Sequence, residues 1–458
     1  MNVNELVTVL GSNFQKQKSY FNLSSFDDIK VINTDTREIQ KGDVFIALSG
    51  KNFDGHLFIR EAIEKGASIV ILEQEALVNS TYKVSHIVVG SALKAYQQIA
   101  NWWRNKYKIP IIAITGSVGK TTTKELIAAS LGMYGQVHKT YDNYNNEIGV
   151  PRTLLKLSKH HDYAVIEMGM RDLEEIRLLT KIIQPTIGII TNIGTAHIGR
   201  LGSKEAIAQA KCELLSEMSL DSIAILNNDD ELLMKTAMRI WKGKTITYGL
   251  NKGDIIGKLI NDRTLRVEGL NFPLPLSGRH NAINYLAALA VTKSLNLDWK
   301  KFTKQIKVEM PQGRSQKNYL PGDIILLDET YNAGLESMKA ALNMLKDTPG
   351  KRHIAVLGAM KELGVNSSQF HREVGETAQA LGIDVLYILI RDEEARAIPN
   401  GIKNIDGVRN IKVICCLSPE KLFEQLINDI SEGDRILFKA SNSVKLKSLV
   451  EQICKYFS

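Results

Sequence analysis

Apolar residues along this chain fall into short runs bounded by glycine, proline and polar turns, and the runs alternate with stretches of helical period. From about Val31 to Leu72, β-rich runs at Val44 to Leu48 and Ser68 to Leu72 flank a helical stretch near Phe58 to Lys65, which predicts a small α/β unit. A linker is expected next. It leads to a helix around Ala92 to Lys106 that carries Trp102 and Trp103 and ends before Pro110, since the residue ahead of a proline is pushed out of helical geometry. From Ile111 the pattern is strand, glycine-rich turn, helix, with strands at Ile111 to Thr115, Tyr163 to Met168, Thr186 to Thr191 and Ile223 to Leu226. A third unit opens after Pro311, with apolar strands at Ile324 to Leu327, His353 to Leu357, Val385 to Ile390 and Arg435 to Lys439. Strands alternating with helices predict mostly parallel, doubly wound sheets, so the fold class is α/β throughout.

At 458 residues the chain exceeds what one hydrophobic core serves, and three domains are expected. With 44% apolar and 24% charged residues it has a globular composition and should fold unaided. The 58 basic and 50 acidic side chains leave a net charge of +8 with no long basic run, which suits anionic substrates such as nucleotides. No basic stripe with interleaved aromatics and no zinc-finger spacing occurs, so nucleic acid is not an expected partner. Cys212, Cys415, Cys416 and Cys454 form no Cys-x-x-Cys pair, which fits a reducing, cytoplasmic location. The N-terminus lacks a basic segment before an apolar stretch, and no run approaches the roughly 18 apolar residues of a membrane span, so neither secretion nor membrane insertion is expected.

The sharpest local signal is Thr115-Gly116-Ser117-Val118-Gly119-Lys120-Thr121-Thr122, placed after an apolar strand and at the start of a helix. Glycines let backbone N–H groups approach phosphates, the lysine adds a point charge, and the Thr121 hydroxyl can ligate Mg²⁺. Ile114 stands where the generic phosphate loop has its first glycine, and a tight glycine turn into a helix is the plainer alternative. Glu167 and His197 follow successive strands, at the ends that face a ligand crevice in such sheets. Singly they read equally as a solvated carboxylate and a loop histidine; with Thr121 they suggest a divalent-cation site. Gly278-Arg279-His280-Asn281-Ala282-Ile283-Asn284 is a helix start rich in amide and imidazole groups. Arg314, after Pro311-Gln312-Gly313, sits where a guanidinium can reach a phosphate or simply meet solvent. Asp328 and Asn332 follow the strand Ile324 to Leu327 and suit either a nucleotide contact or a helix cap. Lys211 shares a helix face with Ile207, Leu214 and Leu215, so it is expected either to snorkel or to be buried with a depressed amine pKa.

Taken in order, these motifs resemble the Mur ligases from about Asp35 to Lys445. In the first part the resemblance rests on Asp35-Thr36-Arg37, Gly42 to Gly50 and Asp54-Gly55-His56. The glycine loop, Asn145 to Pro151, Glu167-Met168-Gly169, Ala196-His197, Ala210-Lys211 and Gly278 to Asn284 carry it through the middle. Beyond these, Asp328 to Ala333 with Ser337 to Ala341 resembles a stretch typical of the members that add D-alanyl-D-alanine, and Val356 to Gly364, His371 and Gly375 extend the match. The resemblance implies three domains, at 1–84 for a UDP-sugar, 85–310 for ATP and 311–458 closing on ATP and the incoming amine. It implies an ADP-forming amide ligase that joins D-alanyl-D-alanine to a UDP-muramoyl tripeptide through an acyl phosphate, building the peptidoglycan precursor; separately, a monomer is expected.

The residue roles it implies place ATP on Gly116, Ser117, Val118, Gly119, Lys120, Thr121, Thr122, Asn281, Arg314, Asp328 and Asn332. The UDP-sugar falls on Thr36, Arg37, Gly50, Asp54, Gly55 and Asn146. Lys120, Lys211, Glu167 and His197 become catalytic, with Mg²⁺ on Thr121, Glu167, His197 and a CO₂-derived carbamate on Lys211. The pattern departs from the family's at Thr36 (usually serine), Glu174 (often glycine), Gly334-Leu335 (Asn-Pro), Ala359 (aspartate) and Ala440-Ser441-Asn442 within a Lys-Gly-Ser-Arg motif. Competing readings are a sister ligase adding a single amino acid, a folate polyglutamate ligase, against which the first domain argues, and a phosphate-loop NTPase driving a partner.

Overall fold

Strands buried at every position need cover on both faces, and several strands here have that character: Ile69–Leu72, Ile111–Thr115, Val385–Leu389 and Asp434–Lys439 are buried throughout. The computed structural model describes residues 2–16, 19–20, 29–50, 53–73, 84–403 and 411–457. It contains two compact units, one formed by 1–113, 135–168 and 177–186, the other by 114–134, 169–176 and 187–458.

The first unit holds a four-stranded parallel sheet in the order Ile32–Asn33, Val44–Ile46, Ile69–Leu72, Ser85–Val88. One apolar face packs Leu6 and Leu10 of helix Val3–Leu10 with Tyr96 and Ile99 of helix Ala92–Asn105. The other packs Phe45 and Val70 against Ile59 and Ala62 of helix Ile59–Glu64. This unit also contains the parallel pair Val137–Lys139 and Tyr163–Glu167. The linker expected after Leu72 lies largely outside the described residues.

In the second unit, Ile187–Ile190, Ile223–Asn227, Lys244–Gly249 and Ile255–Asn261 run parallel, and Thr264–Val267 and Leu270–Pro273 continue antiparallel. Helices Lys120–Leu131 and Arg279–Ser294 pack on each other, the latter buried along most of its length. A second sheet has the order Gln316–Leu320, Ile324–Asp328, Asp434–Lys439, Arg352–Leu357, Val385–Leu389, Lys412–Cys416, parallel except for its first strand. The architecture is therefore α/β with parallel-rich sheets, as the alternation of strands and helices implies. All four cysteines are free thiols, and no described helix is long and apolar enough to cross a membrane.

Candidate active site

The strand Ile111–Thr115 passes directly into the loop Gly116 to Gly119, and the helix Lys120–Leu131 begins at once. Glycine is needed at both ends of this loop. Gly116 has φ +150°, and a β-carbon there would lie 1.9 Å from the Thr191 hydroxyl; Gly119 has φ +81°, and its β-carbon would lie 2.7 Å from Asn284 Oδ1. Asn192 clamps the loop, accepting from Val118 N–H at 3.0 Å and donating through Nδ2 to the Val118 carbonyl at 2.9 Å, while Thr191 Oγ1 donates to that carbonyl at 2.7 Å. Lys120 folds back so that Nζ donates to the Gly116 carbonyl at 2.7 Å. The N–H groups of a helix's first turn have no acceptor within the helix, so this loop and helix end are chemically suited to phosphate oxygens.

The loop opens on a cavity of about 850 Å³ in the second unit. Ser117 to Thr122, His197, Asn281, Arg314 and Asn332 all lie on its wall. Gly116, Asp328 and Lys211 do not. Asn281 is 2% exposed and its Nδ2 donates to the Ser277 carbonyl at 2.8 Å, whereas Asn284 meets Gly119. Arg314 stacks on Tyr331, its guanidinium carbon 3.8 Å from the ring centroid, and its Nε is buried without a hydrogen-bond partner. That orphan donor is suited to an incoming acceptor. Asp328 is buried, and its Oδ1 accepts from Thr330 N–H at 3.0 Å and Oγ1 at 2.6 Å, shaping the turn that presents Tyr331 and Asn332.

Beside this turn the cavity wall holds further ionisable groups. Glu329 accepts from Ser315 N–H at 3.0 Å, and burial raises its carboxyl pKa. Lys439 Nζ donates to the Asn332 carbonyl at 2.8 Å and is lowered by burial. Burial, aided by the Lys439 charge, takes the His280 imidazole down to about 4, so His280 is neutral at physiological pH.

Among the described residues, no three His, Cys, Asp or Glu side chains gather as a metal cluster. The donors expected for Mg²⁺ lie on different elements. Thr121 is in the first turn of the helix after the glycine loop. His197 precedes the short helix Ile198–Leu201 with φ +66°, and its Nδ1 meets Glu362 Oε2 at 2.6 Å, leaving Nε2 free to point at a ligand. Glu362 also has a left-handed backbone, φ +63°, so two strained residues meet here. Burial lowers the His197 pKa, opposed by Glu362 and reinforced by Lys120 and Lys211. Glu167 belongs to the first unit, ends the strand Tyr163–Glu167, and accepts from Asn145 Nδ2 at 2.9 Å.

Lys211 lies on helix Lys204–Glu217 with Ile207, Leu214 and Leu215 buried around it, and it is itself only 1% exposed. It does not snorkel. Burial drives its amine well below the usual lysine pKa, and the Lys120 charge adds to that shift. Glu174, one of the departures noted above, adopts φ +70°, the backbone geometry that glycine accepts most easily; its N–H donates to Glu213 Oε1 at 2.9 Å.

The residues assigned to a UDP-sugar lie in the first unit. Asp35 caps the turn Thr36–Glu38 through Arg37 N–H at 3.0 Å, and the Arg37 guanidinium, which bonds the same carboxylate, holds it down to about 2. Gly50 and Asp54 lie on a two-stranded antiparallel ribbon in which Gly50 pairs with Phe53 and Asp54 with Ser49. Asp54 Oδ1 accepts from His56 N–H at 3.0 Å and Ser49 Oγ at 2.9 Å, and Gly55 packs so closely that a β-carbon would lie 2.7 Å from the Leu48 carbonyl. Asn146 Oδ1 accepts from Gly149 N–H at 2.8 Å, at the start of helix Gly149–Leu154.

Family models match in sequence: "Mur ligase family, catalytic domain" over residues 28–110, "Mur ligase middle domain" over 114–292, and "Mur ligase, glutamate ligase domain" over 313–442. The chain belongs to the Mur ligase family. This Mur ligase is 51% identical over 439 residues to the UDP-N-acetylmuramoyl-tripeptide–D-alanyl-D-alanine ligase of a Synechocystis species, covering 95% of this chain and 94% of that one. It is 32% identical to the ligase of the same name from Bacillus subtilis, covering 92% of each. Among solved structures it resembles MurF from Acinetobacter baumannii, with a TM-score of 0.87, 28% identity and coverage of 99% and 98%. It also resembles MurF ligase from Thermotoga maritima in complex with ADP, with a TM-score of 0.81, 29% identity and coverage of 93% and 98%.

Proposed function

We propose that this Mur ligase joins D-alanyl-D-alanine to UDP-N-acetylmuramoyl-tripeptide, driven by cleavage of ATP to ADP and phosphate, as a monomer in the cytoplasm. The observation that carries this reading is that the glycine loop and the stretch Tyr331 to Ala341 line one cavity, in a chain matched nearly end to end by ligases of that name. In the proposed division, 1–84 holds the UDP-sugar through Thr36, Arg37, Gly50, Asp54 and Gly55, assisted by Asn146, 85–310 holds ATP, and 311–458 completes the nucleotide site and receives the amine.

The loop N–H groups of Gly116 to Thr122 and the Lys120 ammonium hold the ATP phosphates, and Asn281 lies toward the adenine. Arg314, stacked on Tyr331, reaches the phosphates, while Asp328 sets the turn that carries Asn332. Thr121, Glu167 and His197 through Nε2 are the residues that would hold Mg²⁺, whose chemistry is to offset the charge of the phosphates and the attacking carboxylate. The terminal carboxylate of the tripeptide attacks the γ-phosphorus, the bond to ADP breaks and an acyl phosphate forms. The dipeptide amine then attacks the acyl carbon, phosphate leaves, and the amine's proton passes to solvent. Lys211, buried and disposed to be neutral, is proposed to add CO₂ at Nζ with loss of a proton, giving an anionic carbamate as a further cation ligand.

The test is phosphate release with UDP-muramoyl tripeptide and, in parallel, D-alanyl-D-alanine, D-alanine alone or no amine. Release is expected with the dipeptide and not with the other two. Ligation of the lone amino acid with none of the dipeptide would make the chain a sister ligase. ATP turnover without UDP-peptide, or stimulated by polynucleotide, would make it a phosphate-loop motor.

A further inference from the structure

The segment from Thr191 to Gly199, which runs from the end of strand Ile187–Ile190 into helix Ile198–Leu201, is held from two sides. On the phosphate side, Gly194 N–H donates to Ser117 Oγ at 2.8 Å, next to the Asn192 and Thr191 contacts that clamp Val118. On the other side stands Glu336, in the first turn of helix Leu335–Asp347. Its Oε1 accepts from Thr195 N–H at 2.9 Å and its Oε2 from Thr195 Oγ1 at 2.9 Å. Thr195 is 1% exposed, and Glu336 is half-buried on the cavity wall.

The approach is built into the chain at two glycines. A β-carbon on Gly194 would lie 2.7 Å from Glu336 Cδ, and one on Gly199 would lie 2.5 Å from the Gly364 nitrogen. Gly199 N–H also donates to the Glu362 carbonyl at 3.0 Å. His197 lies between these glycines, against the Glu362 carboxylate. An acid in a helix's first turn is ordinarily accounted for by the helix dipole alone. Here both carboxylate oxygens are committed to one residue of another segment, an arrangement that fixes that segment's rotation as well as its position.

We propose that Glu336 is a positioning residue for phosphate transfer. It latches Thr195 and, through Gly194 and Ser117, sets the glycine loop and the His197 segment in their working register when 311–458 is docked. The idea rests on ATP binding at the glycine loop, as argued above. Loss of the latch lets Thr191 to Gly199 drift, and displacements of about 1 Å around a reacting phosphate are enough to lower rates up to about a hundredfold.

The experiment compares Glu336→Ala, Glu336→Gln, Thr195→Val and the Glu336→Ala/Thr195→Val double variant, with Lys120→Ala as a control for the site itself. Steady-state constants are measured separately for ATP and UDP-tripeptide, and urea unfolding monitors the fold. Glu336→Ala is expected to lower kcat/KM for ATP by about tenfold or more, the size of a charged hydrogen bond, with KM for UDP-tripeptide within about twofold of wild type. Glu336→Gln keeps one acceptor and offers a donor to the Thr195 hydroxyl, so it should recover most of the loss. The double variant should be little worse than Glu336→Ala, because the two act as one contact. A Glu336→Ala enzyme within about twofold of wild type for ATP, an equal loss on both substrates tracking a drop in stability, or additive losses in the double variant would overturn the proposal. Should Lys120→Ala also turn over normally, the assignment of ATP to this loop is what has failed; should Lys120→Ala alone be inactive, only the latch has.

Discussion

Replacing Lys120 by alanine is expected to reduce ligation by at least about a hundredfold while leaving UDP-tripeptide affinity within about twofold of wild type. The fold should survive, since alanine is the best helix former and Lys120 is the first residue of helix Lys120–Leu131. What disappears is the ammonium now resting on the Gly116 carbonyl, the cation best placed to meet phosphate oxygens as charge develops on them. The residues assigned to the UDP-sugar belong to the first unit and Lys120 to the second, so the two effects separate. Equilibrium binding of UDP-tripeptide alongside steady-state turnover checks this. A folded variant that loses UDP-tripeptide affinity would contradict the division of labour.

Lys211→Arg should be as inactive as Lys211→Ala, at least about a hundredfold down, even though arginine preserves the positive charge. Burial and the Lys120 charge both favour the neutral amine, the form that adds CO₂, whereas a guanidinium stays protonated and forms no carbamate. The readout independent of activity is isotopically labelled CO₂: one adduct per chain on the wild type, detected by NMR or by mass spectrometry after trapping, and none on Lys211→Arg. Because acid protonates the amine and releases CO₂, wild type equilibrated at low pH in CO₂-free buffer should restart poorly and recover when bicarbonate is added. An active arginine variant, or full activity without CO₂, would make Lys211 a simple cation.

Much of this site is legible from local spacing, and what is missed shares a physical cause. The strand Ile111–Thr115 is read to the residue because Pro110 and Gly116 punctuate it, and the glycine loop is read because its chemistry is confined to one short segment. The clamps that make the loop rigid are not legible: Asn192 and Thr191 are 74 and 73 positions from Val118, and Glu336 is 141 from Thr195. Such pairings exist only once the sheet is assembled. Strands Ile255–Asn261, Thr264–Val267 and Leu270–Pro273 are missed because short apolar stretches interleave with Lys258, Arg266 and Asn271, which blurs the apolar runs that mark the parallel strands. Helix Val3–Leu10, not among the elements expected above, carries a readable signal in the capping box of Asn2 and Glu5. Lys211 shows where residue pattern stops: a helix face with three apolar neighbours favours a snorkelling lysine over a buried one, and only the packing shows it 1% exposed.

The most direct test of the central claim follows an oxygen atom. The enzyme is given ATP, D-alanyl-D-alanine and UDP-muramoyl tripeptide whose terminal carboxylate carries a heavy oxygen isotope at both positions, and both the phosphate and the UDP-linked product are analysed by mass. If the carboxylate is phosphorylated and the dipeptide amine displaces phosphate, each ADP formed is matched by one UDP-muramoyl pentapeptide and one phosphate carrying a single heavy oxygen. Phosphate without the label, or ADP formed with no pentapeptide, would contradict it.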